Sequence, residues 1–329
     1  MPRPARHSEL FRRSPRNPIL TADSWPYAVH SVLNPGAALL PDGRTLLLCR
    51  VEDRRGISHL TAARSENGID GWEVDPAPTL NSDPVHYDEE WWGIEDPRLT
   101  YLEEMGAYAV VYTCYSRGGP GVSLALTEDF RSFQRYGMIM HPDDKDAALL
   151  PRRVGAYWAL IHRPVTPLGA HMWISYSPDL RHWGSHRLIL AARQGAWWDA
   201  HRIGLASPPI ETPEGWLALY HGVRTTASGA LYRVGLALFD RQTPERCLLR
   251  SYAWVFGPEA EYERSGDVPQ VVFPCGQTLG PDGDTLRLYY GAADTAVCVA
   301  TASLSELLAW LRAYGEPGDR PSGSIPPSL

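Results

Sequence analysis

Apolar positions in this chain fall into short runs separated by turns that carry Gly or Pro, and the pattern recurs about every fifty residues, the period of propeller blades. Each unit reads as an apolar strand, a turn, a second apolar strand, and a third that ends in a polar turn. The second strands align well: RTLLLCRVED (44–53), AYAVVYTCYS (107–116), AYWALIHRPV (156–165), GWLALYHGV (215–223) and TLRLYYGAAD (285–294). They follow NPGAALLPDG (34–43), IEDPRLTYLE (94–103), DKDAALLPRR (144–153), RIGLASPPIET (202–212) and QVVFPCGQTLG (270–280). The third strands are SHLTAARS, GVSLALTED, HMWISYSPD, YRVGLALFD and AVCVATAS; two run on into TEDFRSF and SPDLRHW, turns that start an outer strand, and SENGIDGW after the first is looser. The pattern predicts an all-β fold, a five-bladed β-propeller. A short C-terminal helix is expected over LSELLAWLR (304–312), where Leu and Trp take helical spacing, across the outside of the last blade. The expected organisation is an N-terminal extension over 1–16, the propeller over 17–315 and a disordered Pro-, Gly- and Ser-rich tail over 316–329.

In a propeller the innermost strands line a central funnel, so groups at the starts of first strands and the ends of second strands share one mouth. The first-strand starts carry Asn34, then Glu95, Asp96 and Arg98, then Asp144 and Lys145, then His201 and Arg202, then Gln270. The second-strand ends carry Arg50 and Glu52, Tyr115, His162 and Arg163, His221, and Asp294. One charge at a strand end is usually solvated and idle; matching polar ends in every blade define a candidate active site. Asp96 and Arg98 lie two apart and so share a strand face, with Glu95 turned away into an ion pair. The bland reading of Asp96 is a partner for Arg98. The functional one is a carboxylic acid that protonates a glycosidic oxygen. The basic set Lys145, His162, Arg163, Arg202 and His221 suits an anion such as phosphate.

Composition narrows the classes. A net charge of −7 argues against a nucleic-acid partner, and no apolar run is long enough to span a membrane. The N-terminus, Met1 to Pro18, is rich in Arg and Pro and lacks the apolar segment of a secretory signal. Five cysteines, an odd number without a CxxC pair, read as buried free thiols in a reducing compartment, so a cytoplasmic location is expected. Trp (12) and Tyr (16) outnumber Phe (6), a bias that suits half-wet sugar clefts as well as the packing between blades. The tandem pairs Trp91–Trp92 and Trp197–Trp198 flank the site, and alternation would turn one ring of each pair inward and leave the other as a stacking platform. The acidic loop Asn81–Glu90 reads as a solvated loop that needs no metal.

The run GIEDPRLT (93–100), with NPGA, the HRP of 162–164, WWDAHRIG (197–204), GWLALYHGV and YYGAADT, resembles glycoside hydrolase family 130, in collinear order from about Asn17 to Leu304. The resemblance implies a five-bladed propeller that acts on β-mannosides, as an inverting phosphorylase or as a hydrolase. It implies that Asp96 is the general acid, its proton relayed through a hydroxyl of the mannosyl unit. It places Asn34, Arg50 and Asp294 around the mannosyl ring, with Arg98 counted among the substrate-binding residues, and Lys145, Arg163, Arg202 and His221 around phosphate. One position departs: phosphorolytic relatives carry Lys where this chain has Arg202, which keeps the charge but changes its geometry.

The expected activity is therefore inverting phosphorolysis of β-mannobiose or manno-oligosaccharides to α-mannose 1-phosphate, with inorganic phosphate as co-substrate and no cofactor or metal. A hydrolase is the alternative and requires a second carboxylate, for which Glu52 and Asp294 are nearest by strand position. A sugar-binding propeller without catalysis has no need of both Asp96 and the cations. The arabinan- and xylan-cleaving propellers use three carboxylates in different blades, and the EDPR and HRP motifs argue against them. Expected partners are the mannoside and phosphate, with no nucleic acid or membrane; a homo-oligomer is compatible with this reading.

Overall fold

Alternate residues of each second strand enter two different cores, and this arrangement accounts for their continuous apolar runs. In Thr45–Glu52, Leu46 and Leu48 join a cluster with Tyr108, Val110 and Tyr112, while Leu47, Cys49 and Val51 join one with Tyr289 and Val299. In Ala107–Ser116, Ala109 and Val111 face Trp158 and Leu160. Further round, Ala159 and Ile161 pack with Trp216, Ala218 and Tyr220, and Leu217 and Leu219 with Leu286 and Leu288. A sheet buried on both faces gains no advantage from polar alternation. Followed in order, these clusters lead from each strand group to the next and back to the first. The result is a closed ring of radial, mainly antiparallel sheets, two neighbours of which are joined by a parallel pairing of Ala170 with Arg202.

The structure, a computed structural model of the chain, describes residues 9–227 and 229–318. Blade I comprises Ser31–Leu39, Thr45–Glu52, Ser58–Ser65 and Glu73–Val74; blade II comprises Ile94–Leu102, Ala107–Ser116, Gly119–Thr127 and Gln134–Met140. Blade III comprises Asp144–Leu149, Trp158–Thr166, Met172–Ser177 and Gly184–Leu190. Blade IV holds Arg202–Leu205, Gly215–Thr226, Gly229–Phe239 and Cys247–Ser251, and blade V holds Val272–Leu279, Thr285–Ala292 and Ala296–Ser303. The polar turns act as read: Asp129 Oδ1 accepts from the amides of Arg131 and Ser132, and Asp179 Oδ1 from those of Arg181 and His182, all at 2.9 Å. All five cysteines are buried.

Both chain ends enter blades, which shifts the expected boundaries. Arg12–Arg13, expected in an extension, pairs with Thr301 and Ala300 as the outer strand of blade V. Gly315–Pro317, which overlaps the expected tail, pairs with Ser251, Arg250 and Leu249 at the edge of blade IV. Residues 1–8 of the extension and 319–329 of the tail lie outside the described residues. The helix spans Leu304–Tyr314, and its Ser303 cap accepts from the Glu306 amide at 3.1 Å. Leu304, Leu307, Leu308 and Leu311 bury one stripe between the outer parts of blades IV and V, each Leu contributing about 1.5–3 kcal/mol.

Candidate active site

The inner strands of blades I, II and III each slip register once, between Leu33 and Gly36, Glu95 and Arg98, and Lys145 and Ala148. In each slip one residue takes a left-handed backbone: Asn34 (φ 43°), Asp96 (φ 48°) and Asp146 (φ 55°). Asn and Asp tolerate this conformation better than other side chains, and such bulges re-aim side chains at sheet rims. The bulge overturns the alternation argument for residues 95–98. Glu95 does not turn away from the site. Its Oε1 meets Arg50 at 3.2 Å, and the same guanidinium reaches Asp96 Oδ1 at 3.2 Å.

Arg98 is also not where a substrate contact would be. It is 1% exposed and donates to the carbonyls of Leu205 (2.8 Å), Ala206 (2.7 Å) and Asp96 (3.1 Å), and to Asp146 Oδ1 (3.4 Å). It ties blade II to blade IV behind the site and leaves the Asp96 carboxylate to other partners. Those are Asn34, whose Nδ2 donates to Oδ1 at 2.9 Å, and Arg50. A β-carbon at Gly291 would overlap Asn34 Oδ1, so the neighbouring strand of blade V must carry glycine there. Asn34 Oδ1 is itself buried and without a hydrogen-bond partner among the described residues.

Three carboxyls crowd this acidic half, and their environments push them apart. Burial works to raise Asp96, yet the positive charges of Arg50 and Lys145 and the Asn34 hydrogen bond outweigh it, and the group lies below the ordinary carboxylate range. Glu95 is raised by burial, with Arg50 opposing and Asp96 reinforcing. Asp294, on blade V, is pushed up to about 6, first by burial and then by the charge of Asp96. Because its folded value is raised, the stabilisation linked to its proton is complete below the unfolded value and is lost as pH climbs through about 6. Asp294→Asn should therefore match wild type near pH 4 and exceed it by up to about 3 kcal/mol above pH 7. Urea unfolding of both proteins across that range checks this; a stability difference independent of pH rules it out.

The basic half lines a cavity of about 340 Å³ with Lys145, Arg163, Arg202, His221, Tyr232 and Phe273. The resemblance implies Lys145, Arg163, Arg202 and His221 around phosphate, and two features of the structure change how that set is charged. Asp146, buried in the third bulge, takes Nε and an Nη of Arg163 at 3.0 and 2.8 Å and stands 3.4 Å from His221 Nε2. Burial opposes its charge, but Arg163, His221 and Arg98 hold its carboxyl far below the usual range. His221 is pushed down to about 3, by burial first, with the charges of Arg163, Arg98 and Lys145 adding to it against Asp146. It is neutral at physiological pH and can serve an anion only through an N–H. A β-carbon at Gly204 would overlap both Asp146 and His221, so this contact too needs glycine. His162 lies behind the cavity, held by Asp144 at 2.5 Å and Ser175 at 2.7 Å.

The tandem Trp residues also depart from alternation. Trp91 and Trp92 follow a 3-10 turn rather than a strand, and both are exposed, at 62% and 44%. Trp198 stacks on Tyr220, and Trp197 lies edge-on to Tyr252. The acidic loop is anchored at its end, since buried Glu90 accepts from Tyr112, Arg135 and the Asp83 amide, each at 2.8 Å. Among the described residues no three His, Cys, Asp or Glu side chains come together in a metal-holding arrangement. Asp146 is the residue that motif reading missed. Its signal was present: N-P-G-A (34–37), D-P-R-L (96–99) and D-A-A-L (146–149) start equivalent strands with the bulge residue first.

The ring of β-blades is a propeller, and it holds a buried carboxylate near a cavity lined by Lys145, Arg163 and Arg202 together with Asp143 and Asp144. The family model of glycoside hydrolase family 130, described as beta-1,4-mannooligosaccharide phosphorylase, matches residues 11–313, and the chain belongs to that family. Among its relatives, the beta-1,4-mannooligosaccharide phosphorylase of Ruminococcus albus is 30% identical over 324 residues, which is 95% of this chain and 94% of the relative. The beta-1,2-mannobiose phosphorylase of Listeria innocua is 35% identical over 257 residues, 77% of this chain and 68% of the relative. A solved structure of the Listeria innocua enzyme with beta-1,2-mannobiose superposes with a TM-score of 0.83 at 29% identity, covering 92% of this chain and 99% of that one. Another, described under family members that are glycoside hydrolases targeting beta-1,2 mannosidic linkages in Candida mannan, gives 0.79 at 25%, covering 96% and 98%. The chain is an enzyme of the glycoside phosphorylase type, similar to proteins that act on β-mannosides.

Proposed function

We propose that the protein is an inverting β-mannoside phosphorylase that produces α-mannose 1-phosphate. The observation that carries this reading is the cavity itself. Lys145 and Arg202 line it without an ion pair among the described residues, and Arg163 enters it already oriented by Asp146. Phosphate held there attacks the anomeric carbon as the glycosidic bond breaks. The leaving oxygen takes the proton of Asp96, relayed through a mannosyl hydroxyl, while Asn34, Arg50 and Asp294 hold the ring.

Asp96 must first gain that proton, since it is held ionised in the free protein. Lys145 is one of the charges that holds it so, and phosphate beside Lys145 cancels that charge. A sugar covering Asp96 removes water from it. Both changes raise its pKa, so ligand binding arms the acid. Hydrolysis would need a carboxylate base for water. Of the candidates, Glu52 is paired with Arg50 at 3.3 Å, whereas Asp294, pushed up to about 6 and so ionised at neutral pH, is the carboxylate on which a hydrolytic reading would rest.

The test is initial rate against phosphate, with β-1,4- and β-1,2-mannobiose at saturation. Wild type should saturate with phosphate and release a sugar phosphate. Arg163→Ala should need roughly tenfold more phosphate or greater, as loss of a charge-assisted hydrogen bond implies. A wild-type rate indifferent to phosphate, with free mannose as product, overturns the proposal in favour of hydrolysis.

A further inference from the structure

The hairpin of Gly215–Thr226 and Gly229–Phe239 carries two pockets, one on each face. Its register pairs His221 with Val234 and Val223 with Tyr232, which puts His221 and Tyr232 on the face of the catalytic cavity. The same register pairs Gly222 with Arg233 and Arg224 with Leu231, on the opposite face. There a second cavity of about 410 Å³ lies between the hairpin and the segments around Trp197 and Tyr252, within the size range of small-molecule sites.

Its walls combine two chemistries. Trp198 lies flat against the hairpin, in a place that only glycine at 222 and 235 leaves open, and stacks on Tyr220 with centroids 5.4 Å apart. Trp197, Tyr252 and Trp254 stand around it. Two guanidiniums enter the same space. Arg224 makes a single long hydrogen bond, 3.4 Å to the Ala196 carbonyl. Arg233 lies 4.9 Å over the Trp254 ring, and its buried Nε has no hydrogen-bond partner among the described residues. Neither pairs with a described carboxylate, and the charged neighbour that Arg233 feels is Arg224, of the same sign. An unpartnered buried donor is costly, and two like charges beside it add to the cost. An anion between them relieves both, and indole faces beside it suit the flat C–H face of a sugar ring.

We infer that this second pocket binds a sugar phosphate, with the ring against the tryptophans and the phosphate between Arg224 and Arg233. The site is separate from the proposed chemistry: binding requires no turnover, and nothing in it depends on Asp96. Its ligand sits one sheet thickness from His221 and Tyr232, so occupancy bears on the hairpin that forms part of the catalytic cavity.

Calorimetric titration of the full chain with a hexose 6-phosphate, in the Asp96→Asn background where turnover is strongly reduced, tests this directly. Saturable binding is expected, weaker by roughly tenfold or more in Arg224→Gln and Arg233→Gln, and largely restored in Arg233→Lys. Arg163→Ala should leave it unchanged, which separates this pocket from the catalytic cavity. With the catalytic cavity weakened by Arg163→Ala, free hexose and inorganic phosphate, each alone, should bind far more weakly than the sugar phosphate. Binding that is absent, or unchanged by both arginine variants, overturns the proposal. So does inorganic phosphate binding the Arg163→Ala protein as tightly as the sugar phosphate, or a nucleoside monophosphate binding it more tightly.

Discussion

Asp96→Asn should lower turnover of an unactivated β-mannoside by roughly 10²–10⁴-fold, the usual contribution of a general acid. Asn keeps the size of the side chain and can still contact Asn34 and Arg50, so the ring of partners around it survives. It cannot deliver a proton. A substrate whose leaving group departs without protonation, such as a mannosyl fluoride, should lose far less. Comparing the two substrate types on one variant isolates proton delivery from folding. Equal losses on both would mean that residue 96 serves the architecture rather than the chemistry. The pH profile gives a second check: wild-type turnover should fall as pH rises through the Asp96 pKa in the ternary complex, and that limb should be missing from the variant.

Asp146→Ala should be the most destabilising single change in the site, by about 3–5 kcal/mol, because it strands charges that cannot reach water. Arg98 is 1% and Arg163 5% exposed, and both lean on that carboxylate. Phosphate in solution should recover part of the loss, since an anion bound near Arg163 stabilises the folded state by mass action. Thermal unfolding of wild type and variant, each with and without phosphate, reads both effects. A loss under 1 kcal/mol, or a phosphate shift no larger than in wild type, would show that the charge network does not depend on Asp146.

Much of this architecture was legible in the sequence, because a strand buried on both faces leaves a run such as Leu46–Leu47–Leu48 that helix or half-exposed strand patterns do not produce. Asp96 stood out for the same reason, as a charge at the head of an apolar strand. Side-chain direction inside the bulges was not legible. Strict alternation turned Glu95 outward and set Arg98 beside the Asp96 carboxylate. The left-handed residue at 96 reverses both. The electrostatics of the basic half were hidden for a related reason. Only when Lys145 and Ala148 slip register does Asp146 point at Arg163 and His221, and a neutral histidine cannot be told from a charged one by its neighbours in sequence. Trp91 and Trp92 show a third limit, since alternation applied to a 3-10 turn assigns an inward ring that does not exist.

The outer strand of blade V comes from the other end of the chain, and this makes the ring a clasp. Thr301 Oγ1 donates to the Arg12 carbonyl across 289 positions. Arg13 is pinned to buried Glu263 at 2.8 Å, and Tyr290 donates to the same carboxylate at 2.7 Å. The Arg12–Arg13 strand finds its partner 289 positions further along the chain, a separation whose closure costs entropy and slows formation of the pairing. Tension applied between the two ends would be borne first by this short seam. The ring is thus fastened at a seam that contains none of the residues lining the cation cavity.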